Sequence, residues 1–455
     1  MGIRLDWEVE AEKTHTQRVG EDPNSTRRRR AARFRFLLFL LFLLVILGGV
    51  VFFIINRLQA LDDEVKQELT QTVEAEIAAL RLGDLSAFIA IQRSASSDWA
   101  QEQQQVFYQY QDLKLQDNVE LTGRVTDVAL DRTRARVGIE EIIGGIPYTR
   151  IWFYWRYDDG WRHVPPDYTF WGDVSTEEQP NVIVRYRDVD HQLAKALSER
   201  VSNWLTVSCA ALACPLTPVV SIEVIPDDSL QVGWLSPENW QLQIPSPYVN
   251  RARSDQPFDT DLQFAVSSLL AERLVAFVNN VQPIYPSDAY YLRQSVVSWL
   301  VGRFVQVNTN TFLMNSLADS FGDAAVGRLL TAMQPDSSIT VLGQVTGQSL
   351  EQLNLDWRDF LTWKLSLEFE LINRRDEGNF LALYDTRDEN ARNSAYQRFN
   401  ANSPAEAVVV NSVQRDSMPD GSVILRALAA YGVSGNNTQA EVIFQIADGV
   451  WKRLN

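Results

Sequence analysis

Apolar and polar positions follow three patterns along the chain, and the first is one long apolar run. Residues 36–55, from Phe36 to Ile55, read "FLLFLLFLLVILGGVVFFII", twenty positions without a charge. At 1.5 Å per residue, a helix of this length spans the roughly 30 Å hydrocarbon core of a membrane. The run is too long for a signal peptide and no small-x-small cleavage site closes it, so it predicts a retained transmembrane helix.

The charges on either side of this run predict its orientation. "RRRRAARFR" precedes it and "LDDE" follows it closely. Since positive flanks stay on the cytoplasmic side, we expect residues 1–35 to form a cytoplasmic tail and the rest of the chain to be extracytoplasmic, in a single-pass arrangement. The tail is polar and charged, which predicts disorder. Its arginines could also bind acidic lipid or nucleic acid, but topology alone accounts for them.

The second pattern, a helical period followed by alternating strands, occurs at both ends of the exported region. "LDDEVKQELTQTVEAEIAALRLGD" has helical spacing, and "NVELTGRVTDVAL", "RARVGIEEII" and "YTRIWFYWRYDDGWRHV" have the character of strands. Near the C-terminus, "EGNFLALYD" and "FQIADGVWKRL" are similar to the earlier "GDLSAFIAIQ" and "YWRYDDGWRHV". Phe88 lies 73 residues before Trp161, and Phe380 lies 71 before Trp451. The spacing predicts a duplicated domain in residues 56–175 and 361–455; the alternative is coincidence between generic segments.

The third pattern, in residues 180–360, combines strands with long helices. "NVIVRYRDVDHQLAKALSERVSNWL" predicts a strand and a helix, and "PVVSIEVIPDD" and "WQLQIPSP" predict two further strands. Apolar stripes then predict two long helices, over residues 261–280 and 287–304. The expected fold class is therefore α+β and multidomain, behind one N-terminal transmembrane helix.

Charge and cysteine content narrow the chemistry that is available. The formal net charge of -16 argues against nucleic acid as a partner, because phosphate binding needs a basic surface. Cys209 and Cys214 are the only cysteines, and their short spacing in an exported region favours a disulfide. A metal pair is the weaker alternative, because no further Cys or His lies nearby.

The repeated segments resemble the cone-shaped domains of the nuclear transport factor and polyketide cyclase superfamily. The resemblance lies in the order of a long helix, a Gly-Asp or Glu-Gly turn, a Phe-led helix, and strands that end in "DGW" or "DGVW". In that superfamily a curved sheet wraps a helix and can leave a pocket. The resemblance therefore makes Tyr154, Trp155 and Trp161 weak ligand-binding candidates, although aromatic residues more often fill a core.

Residues 180–360 resemble the peptidase MA-like domain, a branch of the gluzincin metallopeptidases. "TGQSLEQLNLDWRDFL" matches that family's Thr-Gly-x-Ser…Trp segment, and "IPSPYV" and "FGDAAVGRLL" also fit. Such a domain implies two zinc-binding histidines one helical turn apart, a glutamate as general base, and a third carboxylate ligand on the next long helix.

The ligand positions implied by this resemblance carry the wrong residues. "LAERLVAFV" places Ala271 and Val275 at the histidine positions and Glu272 at the base. "LRQSVVSWL" places Gln294 at the third ligand. No histidine follows His191 in the chain. We therefore expect no metal, no cofactor and no catalytic residue in this domain, although an unrelated α/β domain with a fortuitous glutamate is the alternative.

Together these patterns predict a pseudopeptidase rather than an enzyme. We expect a membrane-anchored protein in which a gluzincin-like domain without metal ligands lies between two cone domains and binds a peptide, protein or envelope ligand. Two alternatives stay open. One is a hydrolase with an unrecognised site, and the other is a sensor that signals through its cytoplasmic tail.

Overall fold

The structure is a computed structural model that describes residues 23–401, 407–419, 421–433 and 436–455. Helices and strands alternate in blocks, so the α+β multidomain class predicted from the sequence is confirmed. The helices are α1 (Pro23–Leu82), α2 (Leu85–Ile91), α3 (Ser97–Gln116), α4 (His191–Leu212), α5 (Thr260–Val278), α6 (Asp288–Val305), α7 (Phe312–Phe321), α8 (Ala324–Ala332), α9 (Val341–Thr346), α10 (Arg358–Arg374), α11 (Glu377–Ala382) and α12 (Glu389–Ala401).

The strands of the described residues form three sheets. The first contains β1 (Glu120–Asp131), β2 (Arg134–Ile143), β3 (Ile146–Tyr157), β4 (Gly160–Val164) and β10 (Ala252–Arg253). The second contains β5 (Val174–Gln179), β6 (Val182–Arg187), β7 (Val220–Ile225), β8 (Gly233–Trp234) and β9 (Gln241–Pro245). The third contains β11 (Ala407–Ser417), β12 (Val423–Val433), β13 (Asn436–Ala447) and β14 (Val450–Arg453).

The chain forms two compact units, and they do not follow the three predicted domains. One unit contains the described residues up to 91 together with 156–162, and the other contains 92–155 and 163–455. The boundaries 56–175, 180–360 and 361–455 stay predictions. Two features cross them: β5 begins at Val174 but pairs with β6, and β10 leaves the middle region to pair with β3.

Helix α1 contains the predicted membrane span. It is long and apolar enough over residues 36–82 to cross a membrane, and its apolar side chains from Phe36 to Ile55 are exposed. The helix begins at Pro23, so residues 23–35 are helical, where we expected a disordered tail. Arg and Ala, which dominate this stretch, are good helix formers and extend the apolar helix backwards. Residues 1–22 of the predicted tail lie outside the described residues.

The second sheet and the long helices around it share one hydrophobic core. Strands β6, β7 and β9 are parallel, and each buries alternate residues. The two predicted long helices are confirmed as α5 and α6, within two residues of their expected ends. Cys209 and Cys214 form the predicted disulfide at the C-terminus of α4, with 4.8 Å between their Cα atoms.

The first and third sheets follow helices in the same order. Helices α1, α2 and α3 precede β1–β4, and helices α10, α11 and α12 precede β11–β14. In each segment a single parallel bridge joins the chain just after the short helix to the last strand, at Gln92 with His163 and at Tyr384 with Arg453. Each bridge lies four residues after the Phe and two after the Trp of the sequence repeat.

Candidate functional site

Helices α5 and α6 hold the four positions that the peptidase resemblance singles out. Ala271 and Val275 have no exposed surface and belong to the hydrophobic core. Glu272 and Gln294 are exposed. The structure therefore places two of these residues in the core and two at the surface, and their convergence on one cleft stays a prediction.

The charge of Glu272, on α5, interacts with that of Arg293, on α6. Burial lowers the pKa of Arg293, and the negative charge of Glu272 acts in the opposite direction. Arg293 also donates a hydrogen bond from Nη1 to the carbonyl of Asn279, at 2.9 Å, just after the end of α5. This arginine, which precedes Gln294 in the sequence, therefore links α6 to the C-terminal end of α5.

The loop between β7 and β9 is fastened to α5 through Arg273, the residue after Glu272. Its guanidinium lies 4.5 Å from the ring centre of Trp234 and donates hydrogen bonds to the carbonyls of Ser236 and Pro237. Trp240 packs edge-on against Phe277. The loop is thereby held against the part of α5 that carries Ala271, Glu272 and Val275.

The zinc ion that a gluzincin fold implies does not fit this donor set. The side chains of Ala271 and Val275 have no lone pair, and the amide of Gln294 is a poor zinc ligand. Among the described residues, no group of three or more His, Cys, Asp and Glu side chains could hold a metal ion. We therefore derive no metal-dependent step.

The three aromatic candidates of the first sheet do not share one pocket. Tyr154 is fully buried and stacks on His163, with 5.1 Å between ring centres. Trp155, the next residue along the strand, is 43% exposed. Trp161 is buried and borders a surface depression of about 500 Å³ that the ion pair of Arg156 and Glu68 also lines. Two of these residues therefore pack as core side chains.

A buried polar cluster on the first sheet was not foreseen from the sequence. Glu141 has no exposed surface, and neither of its carboxylate oxygens has a hydrogen-bond partner. Nη1 of Arg150 lies 3.9 Å from Oε1, and Nε of Arg251 lies 4.0 Å from Oε2. The hydroxyl of Tyr110 is also buried, and burial, the charge of Glu141 and a side-chain interaction with that carboxylate raise the pKa of Tyr110. We call these four residues the Glu141 cluster.

One signal in the sequence could have revealed this cluster. In "RARVGIEEII", alternate residues point to the same face of the strand. Ala135, Val137 and Ile139 lie on the buried face, so Glu141 belongs to that face as well. The contribution of Arg251 could not have been found this way, because β10 pairs with β3 over a hundred residues away in sequence.

A second buried carboxylate, that of Asp190, lies between the end of β6 and the start of α4. Asp190 is fully buried, accepts a hydrogen bond from Nε1 of Trp171 at 2.9 Å, and accepts another from Oγ of Ser246 at 2.5 Å. Burial raises the pKa of Asp190 to about 6, and these two bonds and Arg136 oppose the rise. The carboxylate connects three chain segments through these hydrogen bonds, and its protonation state should therefore affect how stably they pack.

No protein-family model matches the sequence, and no curated protein is similar to it. The function must therefore be inferred from the residues and their arrangement.

Proposed function

We propose that this protein is a membrane-anchored, extracytoplasmic pseudopeptidase, in which a gluzincin-like domain between two cone domains binds a peptide or protein ligand without catalysis. The observation that carries the proposal is the burial of Ala271 and Val275. Side chains that serve a metal must face a site that water and substrate can reach. These two instead add to the core between α5 and its neighbours.

The surroundings of the former site support the same proposal. Glu272 is exposed, and neither Ala271 nor Val275 beside it can hold a metal-bound water for its carboxylate to deprotonate. The loop held by Arg273 lies over the same helix. Ligand binding without a metal is compatible with a scaffold that kept its helices and lost its metal ligands.

The duplicated cone domains are supported by matching details in the two segments. Asp84 and Asp376 each accept a hydrogen bond from the backbone N–H three residues later, at 3.0 and 3.1 Å. Each lies four residues before the Phe of its repeat. Equivalent helix starts and equivalent bridges at the same sequence positions favour duplication over coincidence.

Metal content tests the pseudopeptidase. We expect the full chain, purified in detergent without chelator, to contain far less than one zinc ion per chain by elemental analysis, since the donor set lacks histidine. A Glu272→Gln variant should show no change in any peptide hydrolysis measured beside the wild type. About one tightly held zinc per chain, or hydrolysis lost in Glu272→Gln, would refute the proposal.

Thiol labelling tests the orientation. Asn239→Cys introduces a thiol at an exposed position beyond the anchor, and Ser25→Cys introduces one before it. On intact cells, a membrane-impermeant maleimide should label Asn239→Cys only, because α1 separates the two positions by one membrane crossing. Labelling of Ser25→Cys instead would reverse the proposed topology.

A further inference from the structure

The second sheet leaves one face of its parallel strands uncovered. Helix α4 packs against β6 on the side where Val182, Val184 and Tyr186 are buried. On the opposite side Ile183 is 38% exposed, and the side chain of Arg185 is 61% exposed. Parallel strands are usually covered on both faces, so this open face is available to a further molecule.

A depression of about 450 Å³ lies at the carboxyl ends of β6 and β7, beside this open face. Ligands of open α/β sheets commonly bind at this end of parallel strands, and small-molecule sites have volumes of roughly 300–1,000 Å³. We call this cavity the β6–β7 depression. The lining residues that decide its chemistry are Tyr168, Arg185, Arg187, Glu223, Ile225 and Asp227.

The β6–β7 depression has a basic wall and an acidic wall. Alternate residues of a strand share a face, so Arg185 and Arg187 project side by side from β6. Asp227 lies in the loop that follows β7. Burial and the charges of Asp228 and Asp227 raise the pKa of Tyr168, which places both carboxylates near the ring that lines the cavity. Charges of opposite sign therefore border one cavity from different segments.

Two of these charges have no ion-pair partner in the part of the chain that the structure describes. Nη1 of Arg187 donates to the backbone carbonyl of Gly172 at 3.1 Å. Oδ1 of Asp227 accepts from the backbone N–H and the hydroxyl of Ser229, at 2.9 and 2.7 Å. Neutral groups therefore hold both side chains in place, and both charges are available to a ligand.

A ligand with one charge of each sign fits these walls best. Arg185 lies 3.7 Å from Glu223, farther than a direct hydrogen bond, so its guanidinium also has donors for a ligand carboxylate. A ligand with a single charge would match one wall and be repelled by the other. Ile225 and the exposed Val174 supply apolar surface in the same depression, which suits small side chains.

We propose that the β6–β7 depression binds a short peptide with free termini, whose carboxylate lies at Arg185 and Arg187 and whose ammonium group lies at Asp227. The proposal rests on the proposed function in taking a peptide as the ligand, and it adds the place of binding and the chemistry of both ends. An internal segment of a longer chain has neither terminal charge, so the depression would select short free peptides.

Three forms of one peptide test the chemistry: tri-alanine with free termini, N-acetyl-tri-alanine and tri-alanine amide. Isothermal titration calorimetry and thermal unfolding use the full chain in detergent. We expect tri-alanine to raise the melting temperature and to bind at least about tenfold more tightly than either blocked form. The reason is that each block removes one charge-assisted contact with the protein.

Charge-removing variants assign each end of the peptide to a wall. Arg187→Gln should remove the preference for the free carboxylate over the amide and keep the preference for the free amine. Asp227→Asn should do the reverse. Arg185→Gln should also reduce the carboxylate preference, which keeps the test open if Arg187→Gln does not fold. Arg303→Gln and Asp323→Asn are the controls: these exposed partners form an ion pair at 2.6 Å, and both variants should keep both preferences.

Three results would overturn the proposal. Tri-alanine could fail to bind, the blocked forms could bind as tightly as the free peptide, or Arg187→Gln and Asp227→Asn could leave both preferences unchanged. The zinc measurement keeps this test separate from that of the pseudopeptidase. A zinc-free protein that does not bind tri-alanine loses only this site, whereas tightly held zinc contradicts the pseudopeptidase and leaves the peptide site in place.

Discussion

The buried carboxylate of Asp190 predicts a pH dependence of stability opposite to that of most aspartates. Its pKa rises from 3.8 to about 6 in the folded protein because burial disfavours the charged form. The folded state therefore holds this proton more tightly than the unfolded state does. The resulting stabilisation is fully present below about pH 3.8 and is lost as the pH rises to about 6.

The size of the effect follows from the shift. A difference of about two pKa units, at 1.36 kcal/mol each, corresponds to about 3 kcal/mol. The variant Asp190→Asn removes the titration but keeps similar hydrogen bonds, because the amide oxygen can accept from Trp171 and the amide nitrogen can donate to Ser246. At pH 7 we therefore expect Asp190→Asn to be as stable as the wild type or more stable, by up to about 3 kcal/mol.

The difference between two unfolding curves isolates this group. Urea unfolding of wild type and Asp190→Asn, followed by tryptophan fluorescence at several pH values, cancels the titrations that the two proteins share. The advantage of the variant should grow by about 3 kcal/mol between about pH 4 and pH 7. Ser246→Ala serves as a control, because loss of its hydrogen bond should raise the pKa of Asp190 further and move the upper end of this pH window upward. A flat difference across the window, or one of opposite slope, would refute the assignment.

Three further predictions concern the core. Glu368→Gln should lower the free energy of unfolding by about 3–5 kcal/mol, because Oε2 of Glu368 accepts a 2.7 Å bond from the buried Arg453. Arg398 is the more exposed partner of Glu368, so Arg398→Gln should lower the free energy of unfolding by about 1 kcal/mol or less. Equal losses for the two variants in urea unfolding would contradict this prediction. Gly327→Ala should lower the free energy of unfolding by about 1–3 kcal/mol, because the new Cβ would lie 2.5 Å from the carbonyl oxygen of Ala211. Gly378→Ala is the control: the nearest neighbouring atom to its Cβ would be 3.9 Å away, so the same assay should find it neutral or slightly stabilising. Cys214→Ser should lower the free energy of unfolding by about 2 kcal/mol, because it removes the disulfide that closes a short loop to Cys209. If reductant leaves the melting temperature of the wild type unchanged, this prediction is contradicted.

Features that depend on neighbouring residues could be predicted from the sequence. The apolar run at 36–55 requires only its own composition, and the stripes of α5 and α6 require only helical periodicity. The disulfide was foreseeable because Cys209 and Cys214 are close in the chain. In each case the residues that decide the structure lie within a few turns of one another.

Features that depend on distant segments were decided by the tertiary structure. The charge balance at Glu141 depends on Arg251, which reaches the first sheet only when β10 pairs with β3. Burial raises the pKa of Asp190, and the hydrogen bonds that limit this rise come from Trp171 and Ser246, in two other segments. Sequence patterns report which face of a strand or helix a residue occupies, but the partner on that face is chosen by long-range packing. The sequence therefore determined the long apolar helix, the helices α5 and α6 and the lack of histidine in them, while the fold determined which charged groups are buried and what surrounds them.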